Sequence, residues 1–250
     1  MDQHDIKSAL APIWHKKAET ARKAMNRIGL VLKHAAALDL DVDLQTTVKA
    51  KALLGKQRHT VKHIPAMPWQ EVPNFYSSLD AGSVTHLALR LLILTTVRTF
   101  AIRHCHLDEL SGDTWEIPAD KMKSGVAFRV PLSEEAQSVL EEAKKFSRDG
   151  FLFPSVRKGV ISDATMARLM ERREMEARPH GFRSSFRDWC AEATDTPREV
   201  AEYTLAHSVG NKVKRAYRRT DYFEARRSLL ERWAGHVTGR GSDIVRLVAQ

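Results

Sequence analysis

The chain has 250 residues and carries 40 Lys and Arg against 31 Asp and Glu, a net charge of +9. Its length fits one or two domains, and an apolar fraction of 43% is enough for a hydrophobic core. Two cysteines, Cys105 and Cys190, exclude a disulfide framework or a cysteine-rich metal module. The apolar stretch over 87–102 contains Arg90 and Arg98, which excludes a membrane span, and the N-terminus has no signal-peptide pattern. These features predict a basic cytoplasmic protein.

Positive charge is concentrated at the two ends of the chain. Residues 1–65 carry 12 basic and 6 acidic side chains, residues 66–150 carry 9 and 12, and residues 151–250 carry 19 and 13. Two basic blocks around an acidic middle fit a polyanion held by two surfaces. A solubilising excess of surface charge explains the same numbers, so composition names nucleic acid only as a candidate partner.

Helical periodicity dominates the N-terminal part. Residues 8–38 are predicted as helical, with Thr20 as a cap, because apolar residues recur there at steps of three and four. An alternation of acidic and apolar residues over 39–43 interrupts this pattern, and a further helical piece over 48–54 ends near Gly55.

A linker is predicted next, because three prolines follow Gly55 within a stretch of little periodicity, namely Pro65, Pro68 and Pro73. We place a domain boundary near residue 65. The first domain then covers residues 1–65 and the second covers residues 66–250.

The second domain is predicted to be mostly helical, with one small antiparallel sheet. Helical patterns cover 70–80 and 83–105, and short strands over 115–118 and 127–130 flank a turn at Gly125. A helix capped by Ser133 runs to about residue 146, and further helices continue to about Trp233. Breaks are predicted near Pro154, Pro179, Pro197 and Gly210. The fold class is therefore mainly α.

Several polar residues stand out against this background. Arg98 lies among apolar residues, where a guanidinium needs an anion, several acceptors or a structural ion pair. Lys123 lies near the predicted hairpin tip, where it is either solvated or delivered into a groove. His180 and Arg183, at positions i and i+3, share one face at the start of a helix, where an anion is also favoured.

A histidine and a tyrosine complete the series. His207 follows Leu205 and Ala206, and Tyr217 comes ten residues later. Taken singly, such a histidine is usually a core residue and such a tyrosine usually packs, so each has an ordinary structural explanation.

The order of these motifs resembles the tyrosine recombinase (phage integrase) family, particularly integrases of satellite phages and genomic islands. The resemblance rests on an arginine after Thr-Val, a hairpin lysine, His-Gly-Phe-Arg, Leu-Ala-His and Ala-Tyr, in that order. It covers residues 66–235, and residues 5–55 resemble the helical core-binding domain of the same integrases. It implies the tyrosine recombinase fold.

The resemblance implies that Tyr217 attacks a DNA phosphodiester and forms a 3′-phosphotyrosine intermediate. Lys123 protonates the departing 5′ oxygen. The bond energy is kept in the enzyme ester, so rejoining needs neither ATP nor a metal, and no cofactor is expected.

The remaining site residues stabilise the reacting phosphate. The resemblance assigns the non-bridging oxygens to Arg98 and Arg183, whose planar guanidinium groups suit this task. His180 and His207 support the pentavalent state by hydrogen bonding or proton exchange.

The same resemblance implies double-stranded DNA, at an attachment or core site, as the partner of the chain. The two basic blocks would grip opposite faces of the duplex. A homotetramer is expected on DNA, a monomer is compatible with the sequence without it, and accessory DNA-bending proteins would assist integration or excision of a mobile element. A bacterial or phage-encoded, nucleoid-associated protein is implied.

Two departures from the family pattern leave an alternative open. Ala101 stands where the family has Glu, and either weak catalysis or a compensating carboxylate such as Asp108 or Glu109 is compatible with this. The N-terminal arm-binding domain of these integrases also has no counterpart in this sequence. A weakened or inactive remnant that binds DNA sequence-specifically fits both features. A metal-dependent nuclease fits poorly, because no paired carboxylates at ligand spacing accompany the histidine motifs.

Overall fold

The computed structural model describes four stretches of the chain, residues 1–58, 64–79, 82–207 and 220–240. The chain divides into two compact units, Met1–His63 and Ile64–Gln250, close to the predicted boundary near residue 65. Helices dominate both units in the described ranges, and the second unit contains a three-stranded antiparallel sheet. The predicted mainly-α fold class is confirmed. No helix in these ranges is long and apolar enough to cross a membrane.

The described part of the first unit contains three helices, α1 (Gln3–Trp14), α2 (Ala18–Ala37) and α3 (Thr46–Leu54). Its core consists of apolar residues spaced by three or four positions on α1, packed against α2 and α3. These core residues are Ile6, Leu10, Trp14, Ala21, Met25 and Ala50. Gly55 ends α3 with φ of 70°, as the sequence predicts.

The stretch predicted as helical over 8–38 forms two helices, because the chain breaks between Trp14 and Ala18. Tertiary hydrogen bonds stabilise the break: the Gln57 side-chain amide donates to the carbonyl oxygens of Trp14 and Ala18 at 3.2 and 3.1 Å. Thr20 is not a cap but lies inside α2, which begins after Lys17 without a side-chain cap.

The described part of the second unit contains eight helices and three strands. The helices are α4 (Val72–Ser77), α5 (Val84–Thr95), α6 (Thr99–Arg103), α7 (Glu134–Lys144), α8 (Thr165–Arg172), α9 (Phe182–Ala193), α10 (Arg198–Thr204) and α11 (Phe223–Val237). The strands, paired in the order β1-β2-β3, are β1 (Leu110–Ser111), β2 (Thr114–Ile117) and β3 (Phe128–Pro131).

Local sequence signals set several of these boundaries. Trp115 of β2 pairs with Val130 of β3, so the two predicted strands and their antiparallel pairing are confirmed. Ser133 caps α7, because its hydroxyl accepts the backbone N–H of Ala136 at 3.2 Å. Prolines interrupt the later helices as predicted, at 154, 179 and 197, whereas Gly210 lies outside the described residues.

Helix α5 lies at the centre of the second unit. Its residues from Leu91 to Thr95 are all buried, and it packs against α7, α8 and α11. Trp233 of α11 is completely buried and donates its indole N–H to the carbonyl oxygen of Ile93 at 2.8 Å. This packing fixes the end of α5, where the candidate site begins.

Candidate active site

A strained turn after α5 sets the position of Arg98. The predicted helix over 83–105 is wrong at this point, because α5 ends at Thr95 and Thr96 takes a left-handed conformation with φ of 55°. A β-branched residue rarely adopts this conformation. Arg98 then occupies the extended position just before α6. A continuous run of apolar residues hides this break from periodicity analysis.

Arg183, in the first turn of α9, ties three segments together. Its side chain is buried, with 4% of its surface exposed. One guanidinium nitrogen donates to the carbonyl oxygen of Thr96, and the other donates to the carbonyl oxygen of Leu205 at 2.6 Å and faces Nε2 of His207 at 2.9 Å. The end of α5, the start of α9 and the end of α10 therefore meet at one guanidinium.

The charge of Arg183 is not neutralised locally. No carboxylate in the described ranges forms an ion pair with it. Burial, reinforced by repulsion from Arg98 and opposed by Glu202, lowers the pKa of Arg183 to about 10, so the group still carries its charge at neutral pH. An anion next to Arg183 would therefore be stabilised.

A cavity of about 250 Å³ opens beside these residues, and Arg98, Lys123 and Arg183 all line it. Arg98 is half-buried, and no described residue forms a hydrogen bond with its guanidinium group. Lys123 is exposed in the turn between β2 and β3. The exposed carboxylate of Asp120 also lines the cavity, but it does not balance three cations. This is the charge pattern of an anion-binding site.

His207 is oriented by an acidic partner. Ala206 has φ of 49°, which turns the chain at the end of α10, and Nδ1 of His207 lies 2.7 Å from a carboxylate oxygen of Glu202. The other oxygen of Glu202 accepts from Arg187 at 2.7 Å. Although partial burial opposes it, hydrogen bonds from Arg187 and His207 lower the pKa of Glu202. The carboxylate therefore stays ionised and holds the imidazole ring.

Sequence reasoning did not identify Glu202 and Arg187. Arg187 lies four residues after Arg183 on α9 and therefore on the same helix face, which is a detectable signal. Glu202 is recognisable only from the fold, because the turn after α10 brings His207 back toward it.

His180 lies in a 3-10 turn, Pro179–Gly181, directly before α9. Desolvation, followed by the nearby charges of Arg183, Arg98 and His207, lowers its pKa below the ordinary value. His180 therefore lies within electrostatic range of Arg183 and Arg98. Gly181 is required at this turn, since a Cβ there would collide with the backbone of Pro65.

The turn that carries Lys123 is anchored by a buried ion pair. The Lys121 ammonium group contacts the buried carboxylate of Glu109 and donates to the carbonyl oxygen of His104 at 2.6 Å. Glu109 also accepts the indole N–H of Trp115 at 2.9 Å. These contacts hold Lys121, the last residue of a 3-10 turn (Ala119–Lys121), two residues before Lys123.

The two carboxylates considered as compensation for Ala101 are engaged elsewhere. Ala101 is buried and lines the cavity. Glu109 is engaged by Lys121, and Asp108 is exposed beside His106, so neither carboxylate contacts Arg98. Both side chains instead belong to the structure around β1 and β2, so neither of these two candidates supports Arg98.

Tyr217, the expected nucleophile, lies outside the described residues, which end at His207 and resume at Thr220. Within the described ranges, no group of three or more His, Cys, Asp or Glu side chains is arranged to hold a metal ion. The described geometry thus consists of a cavity lined by two arginines and a lysine, with His207 in contact with Arg183 and His180 in the turn just before α9.

Comparison with known proteins identifies the family. Residues 67–224 match the phage integrase family. Prophage integrase IntZ of Escherichia coli K12 is 32% identical over 86% of this chain and 55% of its own length. The integrase of Enterobacteria phage P4 is 28% identical over 88% of this chain and 55% of its own length. The chain thus spans about half the length of these curated relatives.

A solved structure shares the fold. A lambda integrase fragment, crystallised as a dimer bound to a core site, superposes with a TM-score of 0.63 at 16% identity, over 88% of this chain and 80% of that one. The match over 67–224 covers more than half of the 250 residues. The chain belongs to the phage integrase family of tyrosine recombinases.

Proposed function

We propose that this chain cleaves and rejoins duplex DNA at a specific site through a 3′-phosphotyrosine intermediate on Tyr217, to integrate or excise a mobile element. The observation that carries the proposal is the cavity lined by Arg98, Arg183 and Lys123, three cations for which the described residues supply no carboxylate ion pair. A DNA phosphodiester is an anion that fits this charge, and family membership makes it the expected substrate.

The two arginines have different structural roles in this proposal. Arg183 is fixed by its bonds to Thr96, Leu205 and His207, so it offers a preorganised charge. Arg98 has no hydrogen-bond partner among the described residues and is free to bind an incoming oxygen. Together they would bind the two non-bridging oxygens and offset the charge that develops in the pentavalent state.

The covalent step then follows. The Tyr217 phenolic oxygen bonds to phosphorus, the bond from phosphorus to the 5′ oxygen breaks, and Lys123 donates a proton to that oxygen. His180 accepts the phenolic proton, a role supported by its lowered pKa, which keeps the ring neutral near pH 7. Attack by a 5′ hydroxyl on the phosphotyrosine reverses the step and joins the strands.

The other three tyrosines are poorer nucleophiles. Tyr76 is buried and donates to Glu135 at 2.8 Å, and burial raises its pKa. The rings of Tyr203 and Tyr222 pack against each other edge to face at 5.4 Å. Tyr217 alone stands where the family motif places the nucleophile.

DNA contact by both units is part of the proposal, with residues 1–65 as a core-type DNA-binding domain and residues 66–250 as the catalytic domain. The first unit exposes a series of cations on and before α2, namely Lys16, Lys17, Lys23, Arg27 and Lys33. The lambda integrase dimer on a core site supports assembly of several copies on DNA, and a homotetramer is the form that strand exchange requires. Accessory bending proteins would assist from outside the chain.

A trapping experiment tests the proposal. The protein is incubated with a library of duplexes that carry random sequence around a nick, placed so that cleavage releases a short 5′-hydroxyl fragment. We expect a DNA adduct that survives detergent, is absent with Tyr217→Phe and persists with Tyr203→Phe and Tyr222→Phe. An adduct formed by Tyr217→Phe would contradict the assignment.

A DNA-binding remnant is the second candidate, favoured by Ala101 and by the engagement of Glu109 with Lys121. In the same experiment it predicts library DNA that is retained under native conditions, with retention lost at high salt, but no detergent-resistant adduct. That combination would replace the recombinase proposal with the binding one.

A further inference from the structure

Arg226 is a completely buried cation on α11 to which the proposed chemistry assigns no role. Its exposed fraction is 0%. One guanidinium nitrogen donates to the carbonyl oxygen of Arg129 at 2.5 Å, and the other donates to the carbonyl oxygen of Asp221 at 3.4 Å. Its guanidinium carbon lies 4.4 Å from the ring centre of Phe128. Burying such a charge costs desolvation free energy, which hydrogen bonds and an ion pair must offset. A residue that keeps this cost is a candidate for a specific role in the fold or the site.

An ion pair between Asp221 and Arg129 adds to these contacts. The Asp221 carboxylate accepts from the Arg129 guanidinium at 2.9 Å and lies 4.0 Å from Arg226. The Arg129 side chain also covers the ring of Phe223, at 4.5 Å from its centre. Arg226, Asp221 and Arg129 therefore form a three-residue clamp between β3 and the chain just before α11.

The two chain segments that the clamp joins are each close in sequence to a residue of the proposed active site. Arg129 follows Phe128, which lines the cavity, and β3 continues from the turn that carries Lys123. Asp221 follows Tyr217 by four residues, and four residues of extended chain reach at most about 14 Å. One buried guanidinium thus binds the backbone on the side of Lys123 and on the side of Tyr217.

We propose that the clamp of Arg226, Asp221 and Arg129 positions the tyrosine-bearing chain relative to the Lys123 turn, so that nucleophile and proton donor face the same phosphodiester. Arg226 is a positioning residue, since it touches neither the cavity nor the reacting atoms. This inference rests on the proposed function, because it needs Tyr217 to be the nucleophile.

The local backbone supports this role. Tyr222, next to Asp221, has φ of 55°, a conformation that a non-glycine residue holds only when its surroundings enforce it. Arg226 donates to the residue immediately before this turn, at Asp221. Burial lowers the pKa of Arg226 to about 10, so the charge persists at neutral pH and continues to require these acceptors.

The test compares Arg226→Met with Arg232→Met in the full chain. Arg232 lies on the same helix, but it is exposed and pairs with the exposed Asp195. With a nicked duplex recovered from the library adduct of wild type, we expect Arg226→Met to bind DNA within about twofold of wild type but to form the adduct at least about tenfold more slowly. Arg232→Met should match wild type in both measurements.

A second substrate distinguishes misplacement of Tyr217 from loss of proton donation by Lys123. In it, sulfur replaces the bridging 5′ oxygen, so that the leaving group departs as a thiolate without a proton from Lys123. Lys123→Ala should regain adduct formation on this substrate, whereas Arg226→Met should stay slow because Tyr217 is still misplaced. Full recovery of Arg226→Met, or an unchanged adduct rate on the ordinary duplex, would overturn the clamp.

A milder variant covers the case in which Arg226→Met does not fold. Asp221→Asn removes the ion pair at a partly exposed side chain and should slow adduct formation at unchanged DNA affinity; a wild-type rate would overturn the clamp. If wild type traps DNA through Tyr217 while both variants match it, the clamp alone fails. If wild type forms no adduct, the proposed function fails and the clamp fails with it.

Discussion

The Arg183 guanidinium lies 2.9 Å from Nε2 of His207, and this contact decides which nitrogen of the imidazole carries the proton. Arg183 can only donate, so Nε2 accepts and the proton resides on Nδ1, which faces Glu202 at 2.7 Å. In this arrangement His207 accepts from a guanidinium at one ring nitrogen and donates to a carboxylate at the other. The arrangement fixes its ring beside the anion-binding cavity.

Replacing Glu202 tests this relationship. Glu202→Gln removes the charge that holds Nδ1–H, so we expect adduct formation to fall by about 10²-fold with little change in DNA affinity. Single-turnover cleavage of the nicked duplex measures the rate. The control is Glu199→Gln, an exposed position on the same helix, which should behave as wild type. Equal rates of adduct formation for the two variants would show that Glu202 has no role in cleavage.

Replacing Arg98 or Arg183 should impair catalysis to a similar degree, but only the replacement of Arg183 should lower the free energy of unfolding. Arg98→Met and Arg183→Met should each lower adduct formation by about 10³-fold or more, as expected for arginines that bind a transferring phosphoryl group. Arg183→Met also leaves the carbonyl oxygens of Thr96 and Leu205 without a donor, which should cost about 2 kcal/mol of the free energy of unfolding.

Urea unfolding of the two arginine variants provides the comparison. Arg98→Met should unfold close to wild type, because no described residue hydrogen-bonds the guanidinium it removes. An Arg183→Met variant as stable as wild type would show that the three segments do not depend on this side chain.

The pH dependence should involve His180. Desolvation and the charges of Arg183 and Arg98 lower its pKa in the free protein, so the ring protonates only below the ordinary value of 6.5. Because the unfolded chain takes up this proton first, His180 reduces the free energy of unfolding as pH falls below 6.5. Bound phosphate offsets the cations and should raise the pKa of His180.

NMR titration of the His180 ring, with and without a duplex, measures this shift. Cleavage that requires the neutral ring should slow as pH falls through the bound-state pKa. An unchanged His180 pKa on DNA binding would indicate that phosphate does not enter the cavity beside Arg98 and Arg183.

The buried pair under the Lys123 turn should contribute strongly to stability. Lys121→Met leaves the Glu109 carboxylate buried without its cation, which typically costs about 3–5 kcal/mol of the free energy of unfolding. Lys145→Met, which removes an exposed pair with Glu142, should cost less than about 1 kcal/mol. Comparable losses in the two variants would mean that the Lys121 pair is solvated in solution.

Local signals in the sequence predicted much of the fold. Ser133 marks the start of α7, Gly55 marks the end of α3, and the paired strands around Gly125 follow from residue type and turn chemistry. The break at Thr96 was missed, since its left-handed turn lies within a continuous apolar run. The break after Trp14 was missed because Gln57, distant in sequence, stabilises it.

The sequence predicted only part of the candidate site. The order of motifs pointed to Arg98, Lys123 and Arg183, and the structure brings these three to one cavity. Glu202 and Arg226 were not predicted as site residues. Their contacts join segments far apart in sequence, so no spacing rule on one helix reveals them.

Identification of the DNA-linked residue tests the account most directly. The detergent-resistant adduct is digested with nuclease and protease, and the nucleotide-bearing peptide is sequenced by mass spectrometry. We predict a nucleotide attached through its 3′ phosphate to Tyr217, with a free 5′ hydroxyl on the released strand. A nucleotide on Tyr203, Tyr222 or a serine would contradict the convergence of Arg98, Arg183 and Tyr217 on one phosphodiester.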